Sequence, residues 1–484
     1  MIPTPALEIA VLVWGLILLM AEAFVGKADK RLFAFAGIAG LVAVLVASFF
    51  LVPAPPFSAT GFWSFYTADP LAIFFKRFAL VTTIFVLVMA IDYAPTIQMD
   101  VPGAHPQAGL GEFFALPIFT CAGLMWLVSA IDFVMIFVSL ELVTMSFYVL
   151  VSFTRRRPET LEAGVKYLIL SALSTGFLVY GITWIFGVTG ETNLGRIGAV
   201  LATQDIDRVP MLFGIALVLV ALGFKIAAVP FQIWVPDVYQ GAPTPATAFL
   251  SVGSKAAGFV VLLRVLVPFL VLPEVSRLLV GMAALTLIYG NFAALPQTNL
   301  KRLLGYSSIA HAGYLLIGVV ALSGVAVSYY LVSYLLMTLL SFAVMIVVAN
   351  YGGEEIADYA GLAKRSPFLA GAMLVGMLSL AGVPFTAGFL GKFFIFDAAI
   401  RHHETLLVVI GVITVGCGFY YYLKVVRAMF WQDAPNDARP IQVSGLSRVA
   451  ITVLIAGIFV LGVYPQPILN ALDQSPRATA TAGR

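Results

Sequence analysis

LGFKIAAVPFQIWVPDVYQGAPTPATAFLSVGSKAAGF, residues 222–259, is one apolar stretch interrupted by Pro230, Pro236, Gly241, Pro243 and Pro245. Lys225 and Lys255 stand on either side of the interruption, each within a long apolar run. If the chain enters on one helix and returns on the next, each lysine lies roughly 15 residues from the turn. At about 1.5 Å per residue that is near the middle of a bilayer. A lysine at that depth costs about 2.5–3.5 kcal/mol on the insertion scale. Two of them on adjacent helices demand a purpose beyond packing.

The composition fits a bilayer setting. Of 484 residues, 61% are hydrophobic and 11% charged, against about 25% charged in soluble domains. The apolar runs are too long for strands, so the chain reads as an all-α polytopic membrane protein. A net charge of +3 is too small to point to nucleic acid. Cys121 and Cys417, the two cysteines, sit in apolar runs and read as small buried side chains. No Cys/His cluster points to a metal, haem or iron–sulfur site, and no glycine-rich loop points to a nucleotide. His402 and His403 form a bare pair that reads as solvated. The N-terminus lacks a basic n-region and its apolar run is too long for a signal peptide, so it reads as a retained first span.

Fourteen spans are predicted, at approximately 6–25, 32–52, 71–92, 113–129, 132–153, 163–187, 210–231, 245–267, 278–297, 302–322, 326–349, 368–396, 405–430 and 447–468. The longest connections, 94–111, 188–209 and 431–446, are too short to hold a core of their own. With the N-terminus outside, the cytoplasmic connections carry Lys27, Lys30, Arg31, Arg155 to Arg157, Lys301, Arg302, Lys364, Arg365, Lys424, Arg427, Arg439 and Arg448. The outer connections keep little beyond Arg196, Arg208, Arg264, Arg277 and Arg401. This bias predicts both termini on the outer side. Ala228-Val-Pro-Phe231 recurs as Gly382-Val-Pro-Phe385, each copy interrupting an apolar run that holds a lysine, Lys225 or Lys392. Two inverted halves with one broken helix each would produce that pattern.

Charged groups inside the spans are the functional candidates. Glu141 lies near the middle of span five. Lys225 stands before a break where Pro230 denies a hydrogen bond to the carbonyl of Ile226, and exposed backbone at such depth is tolerated where it lines a hydrated cavity. A Glu141–Lys225 pair would hold a proton with the ions together and release it with them apart. Lys255 follows Ser254, with Gly253 and Gly258 permitting close packing. His311, with Ser307 and Ser308 one turn earlier, suits a shuttle between Lys255 and Lys392, although a hydrogen-bonded packing histidine fits the same pattern. Lys392, after the second break, suits the far end of the path. Lys166 and Glu162 are one turn apart and also read as a surface ion pair. Lys76 and Arg77 read as side chains snorkelling from the start of span three, and Asp132 as the cap of the helix carrying Glu141. The row is titratable and free of redox chemistry, which suits proton movement.

Three motifs carry a resemblance. Lys225-Ile-Ala-Ala-Val-Pro-Phe-Gln-Ile-Trp-Val-Pro-Asp-Val-Tyr-Gln-Gly-Ala-Pro-Thr-Pro with Lys255, Lys301-Arg-Leu-Leu-Gly-Tyr-Ser-Ser-Ile-Ala-His311, and Gly382-Val-Pro-Phe-Thr-Ala-Gly-Phe-Leu-Gly-Lys392 resemble the proton-conducting antiporter-like membrane subunits of respiratory complex I, from about Glu112 to Phe430. The short chain, the lack of a long lateral helix and the lysine at 392 select one branch of that family. The resemblance implies two inverted five-helix repeats with discontinuous helices seven and twelve. The single transmembrane domain, 1–484, would divide into three N-terminal helices (1–111), a first half (112–267), a second half (278–430) and a last helix (447–468). It implies one proton moved per cycle, a Glu141–Lys225 ion pair, Lys255 and His311 on a central hydrophilic axis, and Lys392 as the outer exit; Lys166 matches a further family lysine. It implies no cofactor in this chain. NAD, FMN, iron–sulfur clusters and quinone would sit in partner subunits, alongside neighbouring antiporter-like subunits in the inner membrane. Gln232 departs from the family, where many relatives have histidine, which puts a relay there in doubt. A Mrp-type sodium/proton antiporter subunit is the alternative on the same fold, and a solute permease a more distant one.

Overall fold

The structure, a computed structural model, describes residues 5–25, 29–51, 63–101, 107, 109–204, 206–434 and 440–473. Lys27 and Arg439 of the basic connections lie outside the described residues. Among the described residues no β-strand forms, only isolated bridges such as Asp132 with Asn193. The first helices are α1 (Ala6–Phe24), α2 (Arg31–Ser48), α3 (Pro70–Asp100), α4 (Leu110–Ser129), α5 (Phe133–Val151) and α6 (Pro158–Thr189), followed by a short α7 (Leu194–Thr203). Next come α8 (Arg208–Ile226), α9 (Val235–Gly241) and α10 (Thr244–Phe249), the last joined by a π turn at Leu250–Ser254 to α11 (Lys255–Phe269). Then follow α12 (Pro273–Ala294), α13 (Leu300–Val320), α14 (Gly324–Ala349), the one-turn α15 (Leu362–Arg365), α16 (Pro367–Ala381), α17 (Ala387–Arg401), α18 (Thr405–Trp431), α19 (Gly445–Val463) and α20 (Gln466–Asp473).

Helix starts follow local chemistry. Asp69 accepts from the Ala72 N–H at 2.8 Å ahead of Pro70, and Asp132 from Val134 at 2.8 Å, so Asp132 caps the helix of Glu141 as expected. Thirteen of the described helical segments are long and apolar enough to span a bilayer, counting α10 to α11 as one. The predicted twelfth span at 368–396 is the fourteenth: it is divided into α16 and α17, each of 15 residues.

The two breaks share one geometry. Ala227 (φ 64°) and Gly382 (φ 91°) are left-handed. The N–H of Ala228 returns to the Gly223 carbonyl at 2.8 Å, and that of Val383 to the Leu378 carbonyl at 3.0 Å. Each helix therefore ends in a Schellman-type turn, closed before its proline is reached. This corrects two expectations. Pro230 does not itself stop the helix, and the equivalent residues are Ala227 and Gly382, one position off the sequence match. Lys225 precedes its break, whereas Lys392 follows its own.

Rotation of the helices decides what lies inside. In its most apolar stretch α13 is 100% buried, while α1, α2, α6 and α19 are only 28% buried, so α13 is central and the others form the rim. α12 and α13 cross on glycines: a Cβ on Gly290 would lie 2.5 Å from the Ala310 nitrogen, and one on Gly313 2.8 Å from that of Leu287. Such small residues let helices approach closely where lipid offers no hydrophobic drive.

Two further expectations need correction. Lys76 does not snorkel: it is 0% exposed and pairs at 2.8 Å with Glu8, also 0% exposed. The carboxylate arrives from α1, about seventy residues earlier in sequence. Arg264 is not in an outer connection but buried in α11, holding Asp69 through two hydrogen bonds at 2.9 and 2.7 Å. Arg77 stays half-buried, its guanidinium donating to the Ser48 carbonyl at 2.9 Å.

Candidate functional site

Lys225 occupies the last turn of α8. Its Nζ donates to Thr144 Oγ1 on α5 and Ser171 Oγ on α6, both at 2.8 Å. Glu141 lies one turn before Thr144 and is half-buried, with Oε1 accepting from Thr175 Oγ1 at 2.8 Å. Ser171 and Thr175 are one turn apart on α6, facing the same side. Glu141 and Lys225 thus share one strip of hydroxyls, but no direct ion pair joins them among the described residues. Each charge is satisfied by a nearer hydroxyl.

Gly258 brings the next lysine close. A Cβ there would meet Ile226 Cγ2 at 3.0 Å and Lys225 Cβ at 3.8 Å, so its absence lets α11 lie directly on the end of α8. Lys255 opens α11 straight after the π turn, a distortion frequent at functional positions. Its Nζ donates to the carbonyl and hydroxyl of Ser308 on α13. Ser308 Oγ also accepts from Tyr334 at 3.0 Å and lies 3.2 Å from the Tyr239 hydroxyl. Lys225 and Lys255 are buried.

His311 is one turn further along α13 and buried. Its Nδ1 lies 2.6 Å from the Tyr330 hydroxyl and its Nε2 3.0 Å from that of Tyr422. Lys392, buried on α17, donates to the carbonyls of Leu380 at 2.9 Å and Ala381 at 2.8 Å. These are last-turn carbonyls of α16, released by the break, and a cation there also meets the negative end of that helix. A Cβ on Gly382 would lie 3.2 Å from Lys392 Nζ.

Lys166 stands apart from this row. It is 40% exposed and bonds Glu162 at 2.6 Å and Asp237 at 2.7 Å, with Arg302 on the other Asp237 oxygen at 2.7 Å. This is the surface pair of the sequence reading, extended by two partners. Gln232 is buried in the first break with Oε1 unpartnered. His402 and His403 are exposed, Cys121 is buried and Cys417 half-buried. Among the described residues no group of three or more His, Cys, Asp and Glu side chains could hold a metal.

Sequence reasoning missed the hydroxyls. Thr144, Ser171, Thr175, Ser308, Tyr330 and Tyr422 touch the charged groups but are unremarkable residues in apolar helices. Only Ser307 and Ser308 gave a signal, by their spacing from His311. What the arrangement can do is bind and pass protons: amines, an imidazole and hydroxyls within an apolar bundle.

A bundle with paired helix breaks and a buried lysine–histidine–lysine row defines a class. The chain belongs to the family described as NADH:quinone oxidoreductase/Mrp antiporter, transmembrane, whose model matches residues 130–418. It is a multi-pass membrane protein. It is similar to the NADH-quinone oxidoreductase subunit N of Moorella thermoacetica, with 39% identity over 96% of each chain. A chain of respiratory complex I from Thermus thermophilus, solved with bound aureothin, superposes with a TM-score of 0.81 at 31% identity, covering 97% of this chain and all of that one. A chain of the Mrp complex from Dietzia shares the fold, with a TM-score of 0.83 at 19% identity over 98% of this chain and 97% of that one.

Proposed function

We propose that this chain is a proton-translocating membrane subunit of an NADH–quinone oxidoreductase. It works beside neighbouring antiporter-like subunits in the inner membrane, with both termini outside. Glu141 and Lys225 take and release a proton through Thr144, Ser171 and Thr175. Lys255 and His311 carry it along the centre, and Lys392 is the exit. The NAD, FMN, iron–sulfur clusters and quinone of the redox reaction are held by partner subunits. The observation that carries this reading is the row of buried amines on hydroxyls and freed carbonyls, in a chain 39% identical to a subunit N. At 19% identity the Mrp likeness supports a common fold only.

Purification from native membranes in mild detergent tests the assignment. Quinone- and NADH-binding subunits should come with the chain, and sealed vesicles of the complex should acidify on NADH. In the Glu141→Ala complex, translocation should fall while assembly persists. Recovery with a small multi-subunit antiporter and no NADH activity would sink this reading.

A further inference from the structure

Both ring nitrogens of His311 are engaged by tyrosine hydroxyls, Tyr330 on α14 at Nδ1 and Tyr422 on α18 at Nε2. A neutral imidazole has one donor and one acceptor nitrogen, so one tyrosine must donate to the ring while the other accepts from it. Such a ring can take a proton on one side and lose one on the other.

The two hydroxyls lead in different directions. Tyr422 also bonds Ser307 Oγ, and Ser307 adjoins Ser308, which holds Lys255. On the other side the Cδ2 edge of the Tyr330 ring lies against the residue before Lys392: a Cβ on Gly391 would come within 2.6 Å of it. All three aromatic rings are buried, and bulk water is no competitor for these bonds.

We infer that Tyr422 and Tyr330 are the proton relays on either side of His311, linking the Lys255 side of the path to the Lys392 side. The inference rests on the proposed function. Ser307 gives its hydroxyl proton to Tyr422 and regains one from the Lys255 ammonium by way of Ser308 or water. Tyr422 releases its own hydroxyl proton to Nε2. The Nδ1 proton passes to the Tyr330 oxygen, whose own hydroxyl proton goes to a water that hands it to the unprotonated amine of Lys392. Every oxygen keeps one hydrogen and the ring stays neutral overall, its hydrogen exchanged from Nδ1 to Nε2. Return of ring and hydroxyls to their first orientation readies the path again. No oxidant, reductant or metal enters.

The test compares Tyr422→Phe, Tyr330→Phe and His311→Ala with Tyr329→Phe in the assembled complex. Tyr329 is a buried tyrosine whose hydroxyl donates to the Leu461 carbonyl at 2.6 Å and whose ring packs on Phe394, away from the His311 hydroxyls. The readouts are protons moved per NADH oxidised and the solvent deuterium isotope effect on translocation. Proton transfer through the subunit should fall about tenfold or more in each of the first three, as expected when a positioned proton carrier is removed. Tyr329→Phe should match the wild type, and Tyr422→His, which returns a protonatable nitrogen, should recover part of the loss. Wild-type pumping and isotope effect in both Tyr→Phe variants, with His311→Ala defective, would overturn the relay and leave the proposed function standing. Normal pumping in His311→Ala as well would remove the central axis itself. Equal damage from Tyr329→Phe would reduce the tyrosines to packing. If Tyr422→Phe fails to assemble, Tyr330→Phe decides the same question.

Discussion

Replacing Lys255 with alanine is expected to reduce proton transfer through this subunit by about 10²-fold or more, the scale of a lost general acid–base group. The geometry dictates a large effect. Lys255 supplies the amine at Ser308, where the hydroxyls of Tyr334 and Tyr239 also meet. Without it only hydroxyls remain there, with Tyr334 also bonding Ser251 at 2.9 Å, and no group holds a proton in reserve. Lys255→Arg should be milder, because the guanidinium keeps the charge and the bonds to Ser308 while seldom releasing a proton. Proton movement and NADH oxidation measured on the same vesicles check both variants. Equal pumping in Lys255→Ala and the wild type would make this lysine structural.

The second large effect is on stability. Lys76→Met is expected to cost about 3–5 kcal/mol, because it leaves the carboxylate of Glu8 buried without a counter-charge. Lys76 Nζ also donates to the Tyr66 hydroxyl at 2.6 Å, and that hydroxyl donates to Glu8 at 2.9 Å, so one substitution breaks a closed triangle joining α1 and α3. The double variant Lys76→Met/Glu8→Gln removes both charges and should recover a substantial part of the loss. Denaturant titration of the purified protein in detergent measures the three variants. A single variant as stable as the wild type, or a double variant worse than the sum of both singles, would contradict this account.

These pairs mark the boundary of what one sequence could tell. The spans were legible because a bilayer requires long apolar runs, and the burial of Lys225, Lys255, His311 and Lys392 because they stand within such runs. The breaks were legible from proline and glycine, but their register was not. The left-handed turn at Ala227 closes on carbonyls before Pro230 acts, and nothing about an alanine announces a positive φ. Partners across helices were the harder part. Lys76 near a helix start looks like a snorkelling residue until α1 is found to bring Glu8 to it. Arg264 looks like an outer charge until Asp69 is found beside it. Likewise, Glu141 and Lys225 read as an ion pair, but the rotation of α5 and α6 puts Thr144, Ser171 and Thr175 in reach first. Rotation of that kind is set by packing among distant segments, and helical periodicity in any one of them does not encode it.

The amines buried in this bundle are there to carry protons. That role is tested most directly by the number of protons moved per NADH oxidised in sealed vesicles holding the assembled Lys225→Ala complex. A lower ratio than in the wild type is expected, with the complex intact and NADH still oxidised. An unchanged ratio at full assembly would contradict it.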